Sequence, residues 1–199
     1  MPLTRAISFY FMLALLLWAG LAHPADNANL KSGVFDPPRI APDFTLTGSN
    51  GAALTLSRYR GKLVLLEFGY TSCFDVCPVS LAMLAAARQK LGPLAAAVQV
   101  IFVTVDPQRD TADHLRTYLA AFDPSFVGAT GTPEQLARVR RDYGISATKK
   151  LVEGSKSDYT IGHSSSIYFI DRQGSLRALM PFGRSADDVV HDATILLGK

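Results

Sequence analysis

The sequence predicts an α/β fold: a central mixed sheet flanked by helices, with a β-hairpin near its N-terminal end. Three observations lead there. Two nearly continuous apolar runs, "GKLVLLEF" (61–68) and "AVQVIFVTV" (97–105), have the composition of strands covered on both faces. Stretches of helical period follow each of them, and alternation of strands with helices builds a sheet with helices on both sides. The chain then closes with two strand-like runs and one helix. At 199 residues, 48% hydrophobic, it holds one domain with a sizeable core and is too short for two.

Residues 1–22 begin with a short positive stretch, "MPLTR", and continue with a charge-free run, "AISFYFMLALLLWAGLA". Small residues at Gly20 and Ala22 precede a polar turn. This is the design of a secretory signal peptide, and the run is also just long enough for an uncleaved membrane anchor. Either places the remainder outside the cytoplasm, in the periplasm or an equivalent compartment. Residues 23–38 are polar and proline-rich and read as a linker; the domain is assigned to 39–199.

Within it, "DFTLTGSNGAALTL" forms two short strands around Ser49-Asn50-Gly51. Strand 61–68 leads to a helix from Val76 to Leu91, stopped by Gly92-Pro93. Strand 97–105 leads to the helix "DTADHLRTYLAAF", opened by Asp110 or Thr111. "FVGAT" is a short strand. "TPEQLARVRRDYG" is a helix with Thr132 as cap, Pro133 in first position and Gln135 closing a capping box. "SSIYFIDRQGSLRALMPFG" gives two strands around Asp171–Gly174, and "SADDVVHDATILLG" is a terminal helix with acids in its first turn. A closing hairpin plus helix is the thioredoxin-like way to complete such a sheet.

The formal charge of +3 is small and evenly spread, which excludes nucleic acid as a partner class. The chemistry concentrates in "GYTSCFDVCP" (69–78), which holds both cysteines of the chain, Cys73 and Cys77. At i, i+4 their sulfurs can face one side. A helix N-terminus lowers a thiol pKa, so both are expected to carry more thiolate than a free cysteine. A structural disulfide over so short a loop would be a poor staple. In an oxidising compartment the pair closes to a disulfide unless it is kept reduced or metallated.

Four motifs in order, "FGYTSCFDVCP", "VTVDPQRDT", "FVGATGTPEQL" and "DYTIGHSSSIYFID", resemble the Sco/SenC family of copper-binding, thioredoxin-like proteins. The resemblance runs from about residue 39 to the C-terminus. It implies that Cys73, Cys77 and His163 bind one copper ion, Cu(I) or Cu(II). It also implies service in assembly of the dinuclear copper centre of cytochrome c oxidase, with an oxidase subunit as copper acceptor. Phe74 stands where the family usually has proline, and Gly162 where an aspartate commonly precedes the histidine.

The donor types agree with that ligand set: two thiolates and an imidazole are a soft three-ligand group suited to copper, whereas structural zinc takes four protein ligands. His163 is expected in a loop before the strand "SIYFI", where thioredoxins carry a cis-proline and this chain has "HSSS". The rival reading is a thiol-disulfide oxidoreductase in which Cys73 and Cys77 form a redox-active pair that reduces the acceptor's cysteines, itself served by a thiol reductant. A peroxidase reading finds only a partial match in "YTSCFDVC".

The other candidates receive plainer readings. His23, His114 and His191 are expected to be a cleavage-region residue and two surface residues. Asp75 is expected at the helix start. Glu67, six positions before Cys73, has the spacing of the buried acid of thioredoxins, but an exposed or structurally paired acid is the stronger expectation. Asp110 and Thr111 read as turn and cap residues, while Asp106 and Arg109 are candidates for a partner-docking face.

Overall fold

The structure, a computed structural model, describes residues 29–199. The expected signal or anchor segment, residues 1–22, and His23 lie outside the described residues.

Among the described residues, ten strands and four α-helices follow one another: β1 (Gly33–Ile40), β2 (Thr45–Gly48), β3 (Ala53–Thr55), β4 (Leu63–Gly69), α1 (Val76–Leu91), β5 (Val98–Thr104), α2 (Ala112–Ala120), β6 (Val127–Thr130), α3 (Pro133–Asp142), β7 (Ala147–Leu151), β8 (Tyr159–His163), β9 (Ser166–Ile170), β10 (Ser175–Pro181) and α4 (Ala186–Leu196). Eight strands form one mixed sheet in the order β1-β10-β9-β4-β5-β6-β2-β3, with β4, β5 and β6 parallel; β7 and β8 form a separate two-stranded ribbon.

β4 and β5 sit at the centre and are buried along their whole length. Alternation sends Leu63 and Leu65 into one core layer, with Leu81 and Leu84 of α1, Leu115 and Leu119 of α2, and Val189 and Ala193 of α4. Val64, Leu66 and Phe68 enter the other layer, with Leu136 and Val139 of α3. Helices therefore cover both faces, as the alternating pattern requires. The capping box of α3 is formed as expected, and α4 adds a second between Ser185 and Asp188.

The structure corrects the sequence reading in two places. Residues 33–38, assigned to a linker, belong to β1, which pairs with β10. The chain just before it is fixed as well: buried Asp192 accepts hydrogen bonds from the backbone of Lys31 and Ser32 and from the Ser32 hydroxyl. The predicted hairpin is present as β2–β3, at the far edge of the sheet against β6. The β7–β8 ribbon was not expected, and His163 is the last residue of β8 rather than part of a loop.

Candidate metal centre

The C-terminal end of β4 delivers the chain into "YTSC", and α1 begins at Val76, so Cys77 lies in the first helical turn. Cys77 is buried, 1% exposed, while Cys73 is partly open; neither is in a disulfide. Gly69 lets the two elements meet: a Cβ there would stand 2.6 Å from the Phe102 ring and 2.9 Å from Cys77 Sγ. Asp75 occupies the cap position of α1 without a side-chain capping bond.

β8 brings His163 to the same place. Its Nε2 lies 3.4 Å from Cys77 Sγ, and ligand atoms of Cys73, Cys77 and His163 all fall within 4.8 Å of one another. His163 Nδ1 lies 2.9 Å from the Ser164 carbonyl oxygen, which can only accept. Nδ1 therefore carries the proton, and the Nε2 lone pair is free to face the sulfurs. The Tyr70 ring meets the imidazole edge-on at 5.8 Å between centroids.

Cys77 departs from the sequence reading. Burial is the largest influence on its thiol and pushes the pKa far up, although a hydrogen bond from the Tyr70 backbone pulls the other way. The helix N-terminus does not offset the loss of water. Before any metal arrives, Cys77 is a thiol.

The seven-residue turn after β5 ties both halves of this cluster together. Asp110, fully buried, accepts from Thr71 N (3.1 Å), Thr71 Oγ1 (2.6 Å) and Thr104 Oγ1 (2.6 Å), holding the chain that enters Cys73. Thr111, not Asp110, caps α2. Buried Asp106 accepts from the Tyr159 hydroxyl at 2.9 Å and pairs with Arg109, which donates to the Tyr159 carbonyl at 3.1 Å. The Arg109 guanidinium also lies 3.9 Å from the Tyr159 ring centroid and 5.5 Å from that of Tyr70. The Tyr70 hydroxyl in turn accepts from Ile161 N at 3.2 Å. Asp106 is thus a brace for the ribbon that carries His163, not a surface docking group.

Sequence reasoning missed Thr71, Tyr70 and Tyr159. The "VDPQRD" spacing was visible, but its partners stand 39 and 53 positions away. His114 is exposed, as expected, and bonds Thr71 Oγ1 at 3.0 Å; partly buried His191 pairs with Asp192. Phe74 is 93% exposed, and Gly162 has open space around it.

Glu67 overturns its expectation. It shares the face of Leu63 and Leu65, under α1, and is 3% exposed. Its Oε2 has no hydrogen-bond partner among the described residues. Burial pushes its pKa up to about 8, against a smaller opposing effect of a hydrogen bond with Ser80. A raised carboxyl pKa means that the folded state keeps a proton the unfolded chain has lost. Stability therefore falls as pH rises from about 4.5 to about 8, by about 1.4 kcal/mol per unit crossed. We expect Glu67→Gln to remove this slope. Denaturant unfolding of the metal-free protein at pH 5.5 and pH 8 checks it, and equal slopes in both proteins would refute it.

Fold and site define a class: a thioredoxin-like domain with two thiols and one imidazole converging at the ends of its central strands. The SCO1/SenC family model matches residues 34–197, and the chain belongs to that family. It is 34% identical over 139 residues to an SCO2-like protein of Rickettsia conorii, covering 70% of this chain and 68% of that one. It is similar to the structure of Bradyrhizobium japonicum ScoI with copper bound, at 37% identity and TM-score 0.72, over 78% of this chain and 98% of that one. The apo Sco1 protein of Thermus thermophilus matches at 35% identity and TM-score 0.76, over 84% and 97%.

Proposed function

We propose that the protein is a copper metallochaperone that holds one copper ion through Cys73, Cys77 and His163 and passes it to an acceptor protein. The observation that carries this reading is the convergence of three soft donors, within 4.8 Å, from segments far apart in the chain. No fourth His, Cys, Asp or Glu joins the cluster among the described residues, which disfavours structural zinc. A relative solved with copper bound supports copper as the ion. Family membership points to cytochrome c oxidase, whose dinuclear centre would receive the metal from the extracytoplasmic side, with residues 1–22 as signal or anchor.

Each residue has a defined task. His163 presents Nε2 because Ser164 occupies Nδ1. Cys77 must give up its proton as it binds, and Cys73, the more open thiol, is the sulfur an acceptor can reach first. That same openness supports a second reading, attack by Cys73 on a disulfide of the acceptor, with Cys77 resolving the mixed disulfide.

The test is an anaerobic titration of the reduced protein with Cu(I) against a competing chelator at pH 6, 7 and 8. We expect one equivalent to bind, and affinity to rise at least about tenfold per pH unit because at least one thiol proton leaves on binding. Weak, non-stoichiometric binding alongside rapid reduction of a model disulfide would overturn the chaperone reading in favour of the reductase.

A further inference from the structure

Between the turn after β5, helix α3 and the β7–β8 ribbon lies a cavity of about 270 Å³. Two cations line it, Arg140 of α3 and Lys149 of β7. The one acid in its lining, Asp106, is already engaged by the Tyr159 hydroxyl and by Arg109. Lys149 is held in place, with Nζ 3.3 Å from Gln108 Oε1 and 3.4 Å from the centre of the Tyr159 ring. Arg140 is half-buried, and its guanidinium has no hydrogen bond or ion pair among the described residues. Its Nε is shut away from solvent, so the two terminal nitrogens are the part a ligand can reach.

We propose that this cavity seats one glutamate side chain of the protein partner that docks at the thiols. This rests on the reading that the thiols meet a protein acceptor. Charge is the first argument. A half-buried guanidinium without a counter-ion has given up water and received no partner in return. A carboxylate is the planar acceptor that matches its two terminal N–H groups, and the Lys149 ammonium adds a second positive charge. A neutral or cationic side chain would leave both charges uncompensated.

The walls are the second argument. Leu136, Ala147 and Ile161 make them apolar. An ion hydrated on all sides, such as phosphate, would lose water against them. A carboxylate on a stem of two methylenes lays the stem on these side chains and keeps its charge at the cations. Aspartate has one methylene fewer to cover them. Position is the third argument. Tyr159 and Ile161 line the cavity and, by alternation along β8, share a face with His163. Ile161 is two residues from His163, about 7 Å along the strand. One docked protein of ordinary interface size reaches both places.

The probe is N-acetyl-glutamate methylamide, a single acidic residue as a free molecule. The glutamine analogue is the uncharged control, and inorganic phosphate is the anion without a stem. Each is titrated at constant ionic strength into the metal-free, reduced protein, while NMR follows the Leu136, Ala147 and Ile161 methyls and the Arg140 Nε–H. Saturable shifts are expected with the glutamate probe, with binding about tenfold weaker for the glutamine analogue and for phosphate. Arg140→Gln should bring the glutamate probe down to the level of its glutamine analogue, and Lys149→Gln should weaken it about threefold. Both variants should keep the Cu(I) stoichiometry, because neither residue belongs to the ligand cluster. Phosphate binding as tight as that of the glutamate probe, equal affinity for the two residue probes, or no saturable shift overturns the glutamate seat. The Cu(I) titration is a separate measurement, so failure of the metal site and failure of this seat are distinguishable.

Discussion

Replacing His163 with alanine is expected to weaken Cu(II) binding by more than about 100-fold and Cu(I) binding by about 10- to 100-fold, because loss of a ligand should exceed loss of an outer partner for the ion that needs nitrogen most. Two thiolates remain in the variant, and a pair of sulfurs still suits the softer Cu(I). Cu(II) prefers a set that includes imidazole. The fold should be unaffected: His163 is only partly buried, and its contacts outside the cluster are an edge-on meeting with Tyr70 and one bond to the Ser164 carbonyl. Chelator competition in each oxidation state measures both affinities, and thiolate-to-Cu(II) absorption gives a second readout. Equal affinities in variant and wild type would remove His163 from the ligand set.

The second large effect is on stability. Asp110→Ala leaves three donors, Thr71 N, Thr71 Oγ1 and Thr104 Oγ1, without the buried acceptor that holds them. Thr104 Oγ1 is fully buried and loses its partner without regaining water, while the half-buried Thr71 donors are partly rehydrated, so a destabilisation of about 2–3 kcal/mol is expected. Asp110→Asn keeps the volume and one acceptor oxygen and should cost less. Thr71 enters the segment leading to Cys73, so the damage should reach the thiols too, seen as faster alkylation of Cys77 in the folded protein. A shift in unfolding free energy below about 1 kcal/mol would mean that the turn does not brace this segment.

Asp110 also marks the limit of what can be read along the chain. As the residue before a helical stretch it looked like a cap, and the neighbouring threonine took that role. The carboxylate instead crosses to Thr71, on the strand exit beside it, because β4 and β5 lie parallel in register and their ends emerge together. Glu67 follows the same logic. Its spacing from Cys73 was visible, but its burial depends on β4 being central and α1 lying over it.

What the sequence alone determined was local or strongly patterned. The apolar runs of β4 and β5, the stop at Gly92, the capping box at Thr132 and Gln135, and the pairing of Cys73 with Cys77 on one helical turn all follow from neighbouring residues. The motif order also carried the family and pointed to His163, which the fold brings beside the two thiols.

Tertiary structure decided the rest. β1 becomes a strand only because β10, far along the chain, offers its edge. The ribbon strand "ATKKL" is almost wholly exposed and has no buried face to announce it. Cys77 keeps its proton because packing removes water from around it, overriding the local pull of the helix end. Burial is a property of the assembled layers, and no short window of sequence contains it.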